Sequence, residues 1–387
     1  MIEKETKRTK INFGPQHPST HGVLNLDVEV EGDTVYSAEP HIGFLHRGFE
    51  KLAEERRYIQ FLPALEKGDY VAAFSWDELY MGLIEKALGI EPPPRALAIR
   101  TMMSEVQRIA SHLLWLAAYG QDLGQPTVFL WSFREREAFI EFFEEISGGR
   151  IHYYYSRPGG LKRDVSPDFL LRLTAAVGKF LDKLHEIEEL TTKNIIFQKR
   201  TKDIGILPKD RAIELGVSGP VLRASGVAED LRRSDPFLLY KGMDFPVITR
   251  EEGDCFARTE VRIEEMRASA ALVKKFAVSI PEGPLMAGPF VETTPEKWPD
   301  SMSMANMLKV FSINIPAGEW FLRHESPRGE IAMHLISTGG LKPYRLRLKS
   351  PSFCNLYALS SLVPGTKIAD MISILGSLDI VFGEVDR

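Results

Sequence analysis

Three consecutive prolines, Pro92, Pro93 and Pro94, follow Glu91 and set the firmest limit on how this chain can fold. Neither a helix nor a sheet ladder runs through such a stretch, because each ring fixes φ and removes a backbone donor. Proline is tolerated at a first helical turn. The break therefore predicts a long helix just beyond it, from about Arg95 to Tyr119. Leu97, Met102, Val106, Ile109 and Leu113 recur there at helical spacing. Further helices are expected over Thr127 to Ile146, closed by Gly148-Gly149, over Pro167 to Thr192 and over Arg258 to Val278. Gly48 to Tyr58 and Lys367 to Leu375 read as shorter ones.

The two ends of the chain read differently. Val23, Leu24, Leu26, Val28 and Val30 lead into Glu31-Gly32-Asp33 and then Val35, a period-two pattern around a turn that predicts a β-hairpin. Trp320 to Leu322, Glu330 to Leu335 and Tyr344 to Leu348 read as strands, while 201–250 and 281–320 read as loops. The pattern is α+β. It divides into a β-rich segment over 1–62, a helical bundle over 63–280 and an α/β part over 281–387, expected to pack as one compact unit.

Composition removes several classes of function. With 44% hydrophobic residues, 26% charged residues and a net charge of −5, the chain offers no basic surface for nucleic acid. Cys255 and Cys354 stand far apart without partners at ligand spacing, against a disulfide framework, a zinc ribbon or a cysteine-held cluster. Both are expected to be buried structural thiols. A spanning helix needs roughly 18 apolar residues, and the best candidate, Leu113 to Tyr119, is far shorter. Met1 to Lys10 is charged from the start, so no leader is expected. There is no GxGxxG after a strand and no Walker A motif, against nucleotide chemistry on this chain.

Several groups of residues could carry chemistry. His17 and His21 lie in Gly14-Pro15-Gln16-His17-Pro18-Ser19-Thr20-His21-Gly22, where Pro18 and Gly22 make a loop rather than a helix. Spacing leaves open a turn with capping histidines or a functional loop. Arg100, Glu105, Arg108 and His112 share the first long helix, with one-turn spacings that allow Glu105–Arg108 and Arg108–His112 pairs. A solvated face is the expectation there, ahead of a buried relay. Asp122 falls just past that helix, where a carboxylate opposes the macrodipole and wants a cation or a histidine. Tyr70, in Gly68-Asp69-Tyr70, offers a hydroxyl donor. His152, Tyr153, Tyr154 and Tyr155 precede Arg157 and Gly159-Gly160, a pattern suggesting a stacked cation and a close backbone approach at the glycines.

Taken together, these segments resemble the quinone-site-forming large subunit of proton-pumping NADH:quinone oxidoreductase, respiratory complex I and its chloroplast-type relatives. The matching pieces are Gly14 to Leu24, His41 to Leu52, Arg108 to Trp115, Phe133 to Glu137, Gly216 to Gly226, Glu252-Gly253-Asp254 with Arg258, and Ile374 to Arg387. They span the chain in order. The resemblance implies the fold of the [NiFe] hydrogenase large subunit. The stretches that hold two CxxC pairs in those enzymes correspond here to Lys67 to Tyr70 and Val381 to Glu384. Neither contains cysteine, so no metal is expected: a soft metal needs thiolates.

The resemblance also assigns roles. His21 and Tyr70 match the pair that hydrogen-bonds a quinone head group, and Asp122 matches the carboxylate behind that histidine. Arg47, Lys67 and His152 match residues near the terminal [4Fe-4S] cluster of a small iron–sulfur partner subunit. Lys67 departs from the arginine common in relatives, keeping the charge without the planar fork. The implied protein holds no cofactor of its own and takes quinone as substrate. It assembles with that partner, the other peripheral-arm subunits and the membrane arm. Its place would be the cytoplasmic side of the cell membrane, or the matrix or stromal face. Two other readings stay open: a ferredoxin- or deazaflavin-driven relative reducing methanophenazine or sulfur compounds, and a non-catalytic scaffold.

Overall fold

In the computed structural model, residues 8–15, 22–287, 309 and 311–387 are described. His17 and His21 lie outside the described residues. The chain opens on a three-stranded antiparallel sheet, β1 (Thr9–Phe13), β2 (Asn25–Glu31) and β3 (Thr34–His41). The expected hairpin is its β2–β3 pair. Gly32, at φ 66, makes the turn, and Leu26, Val28 and Val30 point to one buried face.

The helical middle follows. It comprises α1 (Phe49–Glu55), α2 (Tyr58–Leu65), α3 (Ala73–Leu88), α4 (Pro94–Asp122), α5 (Pro126–Ser147) and, after a short hairpin of β4 (Ser156–Arg157) and β5 (Gly160–Leu161), α6 (Pro167–Leu190). The long helix begins at the last proline of the run, as the break requires, and Gly148 closes α5 in the left-handed conformation. A short helix α7 (Ile195–Thr201) follows, and where loops were expected over 201–250 three more short helices stand: α8 (Lys209–Glu214), α9 (Pro220–Arg223) and α10 (Leu231–Ser234). Too short for a periodic pattern, they are fixed by caps such as Asn194 and Asp230. α11 (Cys255–Ser279) is capped by Asp254, whose side chain accepts from Ala257 N.

A second antiparallel sheet, β6 (Ile315–Ser326), β7 (Gly329–Gly340) and β8 (Arg345–Lys349), precedes the C-terminal helices Pro351–Tyr357, Leu359–Leu362, Ile368–Ser377 and Phe382–Val385. Three main cores hold the chain together. One lies among α4, α5, α6 and α11. A second joins β2 and β3 to residues 207–222 and the C-terminal helices. A third joins α1, α2 and α3 to β6, β7 and β8. The last two tie early residues to late ones, which brings the two ends of the chain to one place. Cys255 is buried and Cys354 half-buried. No helix among the described residues is long and apolar enough to cross a membrane.

Candidate functional site

The site is built where α2 runs into α3. Asp69 turns the chain there: its carboxylate accepts from Val71 N at 3.2 Å and Ala72 N at 3.1 Å. Arg328, in the β6–β7 turn, donates to Asp69 at 2.8 Å. Its Nε lies 3.5 Å from Asp379, and Nη2 donates to Ser111 of α4 at 3.5 Å. One guanidinium thus joins four parts of the chain, and both Arg328 and Asp69 are fully buried. Burial pushes the Asp69 carboxyl up, while Arg328 opposes the shift. Asp379 sits at φ 57, a left-handed conformation rare for a side chain with a Cβ and one found at sites that store strain.

The C-terminal stretch closes over this arrangement. A Cβ on Gly383 would meet Gly68 O at 2.4 Å, so the two backbones touch. A Cβ on Gly22 would meet the Phe382 ring at 3.0 Å. Gly22 therefore rests on the same stretch. Asp386 accepts from Gly43 N at 2.8 Å and Leu45 N at 2.7 Å, fixing the segment before Arg47. Glu384 is bonded to the Ser352 hydroxyl, and burial and Asp69 push its carboxyl up to about 8. Its other oxygen is buried without a hydrogen-bond partner.

Tyr70 stands above the buried charges with 46% of its surface exposed. Crowding by the surrounding chain raises its hydroxyl pKa; Arg328 and Arg47 pull it down and Asp69 and Asp379 push it up. The raised pKa keeps the hydroxyl protonated and therefore a donor. Arg47 donates to Lys67 O at 2.8 Å and lies over the Phe49 ring at 4.8 Å. His152 comes to the same corner, its Nδ1 3.8 Å from Glu66, with its pKa lowered by burial and by Lys67. The structure thus brings Arg47, Lys67, Tyr70 and His152 into one neighbourhood. Asp122 is the last residue of α4. That helix is pinned to Ile368–Ser377 by Trp115, which donates to Gly376 O at 2.8 Å, and by Tyr119, 2.9 Å from the Ser373 hydroxyl.

The solvated face expected on the long helix is overturned: Arg100, Glu105, Arg108 and His112 are all buried. Glu105 does approach Arg108, at 3.7 Å. His112 pairs instead with Glu265 at 3.0 Å, because α11 packs along α4 and covers that side. Glu265 also accepts from Arg223, and Glu105 from Arg232, Tyr240 and Ser269. Burial alone would raise Glu105, but Arg232 and Arg108 outweigh it and hold the carboxyl down. Nor does Arg157 stack on the tyrosines: it donates to Tyr154 O at 2.6 Å and Ser156 O at 2.9 Å. The close approach at the glycine pair is present. A Cβ on Gly160 would meet Leu285 O at 2.0 Å.

Among the described residues, no group of three or more His, Cys, Asp or Glu side chains is placed to hold a metal ion. Residues 122–387 match the family described as the respiratory-chain NADH dehydrogenase 49 kDa subunit. The chain belongs to this family. It is 44% identical over 388 residues to a NADH-quinone oxidoreductase subunit from Methylacidiphilum infernorum, covering 99% of this chain and 93% of that one. A NADH-quinone oxidoreductase subunit from Sinorhizobium medicae is 42% identical over 388 residues, covering 99% and 96%. The NADH-ubiquinone oxidoreductase 49 kDa subunit of Pylaiella littoralis is 40% identical over 391 residues, covering 100% and 98%. As a member of the 49 kDa family, the chain is a subunit of a complex I-type oxidoreductase, and its α+β architecture fits that family.

Sequence reasoning passed over Glu66, Asp77, Glu78 and Arg328. For the acid pair a signal existed: Asp77-Glu78 interrupts an otherwise apolar run from Val71 to Ile84. Arg328 has no such signal, since a turn arginine reads as solvated.

Proposed function

We propose that this subunit forms, with a small iron–sulfur partner, the site at which a complex I-type enzyme reduces quinone and couples the reaction to ion translocation. The observation that carries the reading is the contact of Lys67 to Tyr70 with Val381 to Glu384, which leaves Tyr70 exposed above buried charge. In this reading Tyr70 donates to one quinone oxygen and His21 to the other, with Asp122 as the partner of His21. Reduction places negative charge on both oxygens, and donors already in position stabilise it before protons complete the quinol. Arg47, Lys67 and His152 form the edge toward the partner's [4Fe-4S] cluster. The gathering of two cations and a histidine there supports the fit, because nearby positive charge favours a reduced, more negative centre. The cluster supplies electrons; this chain supplies donors, protons and shape, and holds no redox group itself. The complex would carry it on the cytoplasmic, matrix or stromal face of the membrane.

The test is inhibitor-sensitive quinone reduction by the intact complex carrying Tyr70→Phe or His21→Ala. Each is expected to lose activity on the order of 10²-fold, the usual contribution of one positioned proton donor. Unchanged turnover in both variants, with several quinones, would sink the assignment.

A further inference from the structure

An open cleft of about 280 Å³ lies between the turn from β3 into α1, strand β8, the helix Pro351–Tyr357 and the C-terminal stretch. No role above uses it. Both acids in its wall are spent within the chain. Glu50 accepts from Arg345 at 2.9 Å and from Leu348 N at 2.9 Å. Asp386 holds two amides of the segment before Arg47.

The cations in the wall are not spent. Along β8, Arg345 pairs with Glu50 and Glu54, and Lys349 with Glu330. Arg347 stands between them on the same side of the strand. It is exposed and has no ion-pair partner among the described residues. Arg387 lies over the Phe353 ring at 5.0 Å and donates to Leu348 O at 2.6 Å and Val385 O at 3.5 Å. It too has no ion-pair partner among the described residues. Burial lowers its pKa; Glu50 opposes the shift, and the like charge of Arg347 adds to it. His46 Nδ1 meets Asp386 O at 2.6 Å. A carbonyl only accepts, so Nδ1 carries the hydrogen, and Nε2 is the atom that can take a proton beside an anion.

The rim is apolar. Ile42 is 44% exposed, Phe44 50% and Phe353 43%. Large apolar side chains grouped at a surface mark an interaction site, and arginine beside aromatic rings is the composition of an interface core. An anionic membrane surface is met by about four to eight cations spread over a face. Two guanidiniums converging on one cleft suit a single carboxylate, which a guanidinium holds by two parallel hydrogen bonds. We propose that this cleft receives the carboxylate of an aspartate or glutamate from an apolar surface of a neighbouring subunit of the complex. Arg347 makes the bidentate contact, and Arg387, held against Phe353, adds its charge from the other wall. An ion pair open to water would hold a partner weakly. Ile42 and Phe353, covered by the partner's apolar surface, exclude water from around the pair.

The test is zero-length cross-linking of the intact complex. Arg347→Lys keeps the charge and supplies an amine. A carbodiimide condenses that amine with a touching carboxylate to an amide and takes up the released water as a urea. A peptide joined there to an aspartate or glutamate of another subunit is expected. An assembled complex that gives no such link, or gives links only within this chain or to lipid, overturns the proposal. Arg347→Gln and Lys349→Gln each remove one positive charge from the same strand. Retention of the neighbouring subunit at high salt is expected to fall on the order of tenfold in Arg347→Gln. It is expected to stay native in Lys349→Gln, whose lysine is already paired with Glu330. Arg347 has no ion-pair partner among the described residues of its own chain, so its loss is read in assembly rather than in folding. Equal retention in the two variants, whether native or reduced, overturns the assignment.

Discussion

Arg328 Nη1 donates to Asp69 at 2.8 Å, and neither side chain reaches solvent. The bond joins the β6–β7 turn to the loop that carries Tyr70, so it decides where that hydroxyl stands. Breaking a buried pair by removing one partner leaves an uncompensated charge and costs about 3–5 kcal/mol. Arg328→Gln and Asp69→Asn are each expected to lower the stability of the protein by that order. The double variant is expected to lose less than the sum, because neither charge is then stranded. Denaturation midpoints of the four proteins in a double-mutant cycle check this. Strict additivity would show that the two residues act separately.

Much of this framework was legible, and the exceptions share a cause. The β2–β3 hairpin was visible because one of its faces meets solvent and alternation survives. The long helix was visible because Pro92 to Pro94 fixes where it starts. α3 was not, since only Lys86 and Leu88 of its 16 residues escape burial. A helix buried all round shows no apolar stripe. The same burial hides the nature of Glu105, Arg108 and His112, which look like surface residues until α11 is laid against them. Tyr70 and His152 stood out from local chemistry, but their roles came only from family resemblance. Their local sequence says nothing of Arg328 or Glu66, which come from distant parts of the chain.

Acid should destabilise the fold through two buried histidines. His112 is held down to about 4 by burial, against the pull of Glu265, and His324 to about 3 by burial and Arg108. The unfolded chain takes up these protons near 6.5 and the folded one does not. Their contribution is therefore fully present above about 6.5 and declines as pH falls toward the folded values. His112→Gln is expected to flatten the stability profile between pH 6.5 and 4. Urea denaturation at a series of pH values checks it, and an unchanged slope in that window would contradict the neutral, buried imidazole.

Three buried carboxyls act in the opposite sense. Burial raises Glu66 to about 9, Glu78 to about 8 and Glu384 to about 8, all from 4.5. The folded chain therefore binds more protons than the unfolded one in this range. Stability should be greatest below about 4.5 as far as these groups go, and fall as pH rises through their folded values. Glu384→Gln and Glu78→Gln, which keep shape and hydrogen-bonding atoms, are each expected to reduce the alkaline loss. Thermal midpoints measured from neutral pH to pH 9 read the difference directly. A native-like alkaline slope in both variants would mean that these carboxyls are charged in the fold.

Gly383 lies where the C-terminal stretch touches the Tyr70 loop. A methyl group there would stand 2.4 Å from Gly68 O and 3.2 Å from Lys67 O, and the nearest obstacles are backbone rather than a side chain that could swing away. Gly383→Ala must therefore push Val381 to Glu384 off the Tyr70 loop. Overpacking of this kind costs about 1–3 kcal/mol, small enough for the protein to fold and assemble. Quinone reduction should suffer more than stability, because the displacement falls on the donor loop itself. The pair of measurements is the assembled fraction of the complex and its quinone turnover. An Ala variant with native turnover would show that the contact between the two stretches does not set the position of Tyr70.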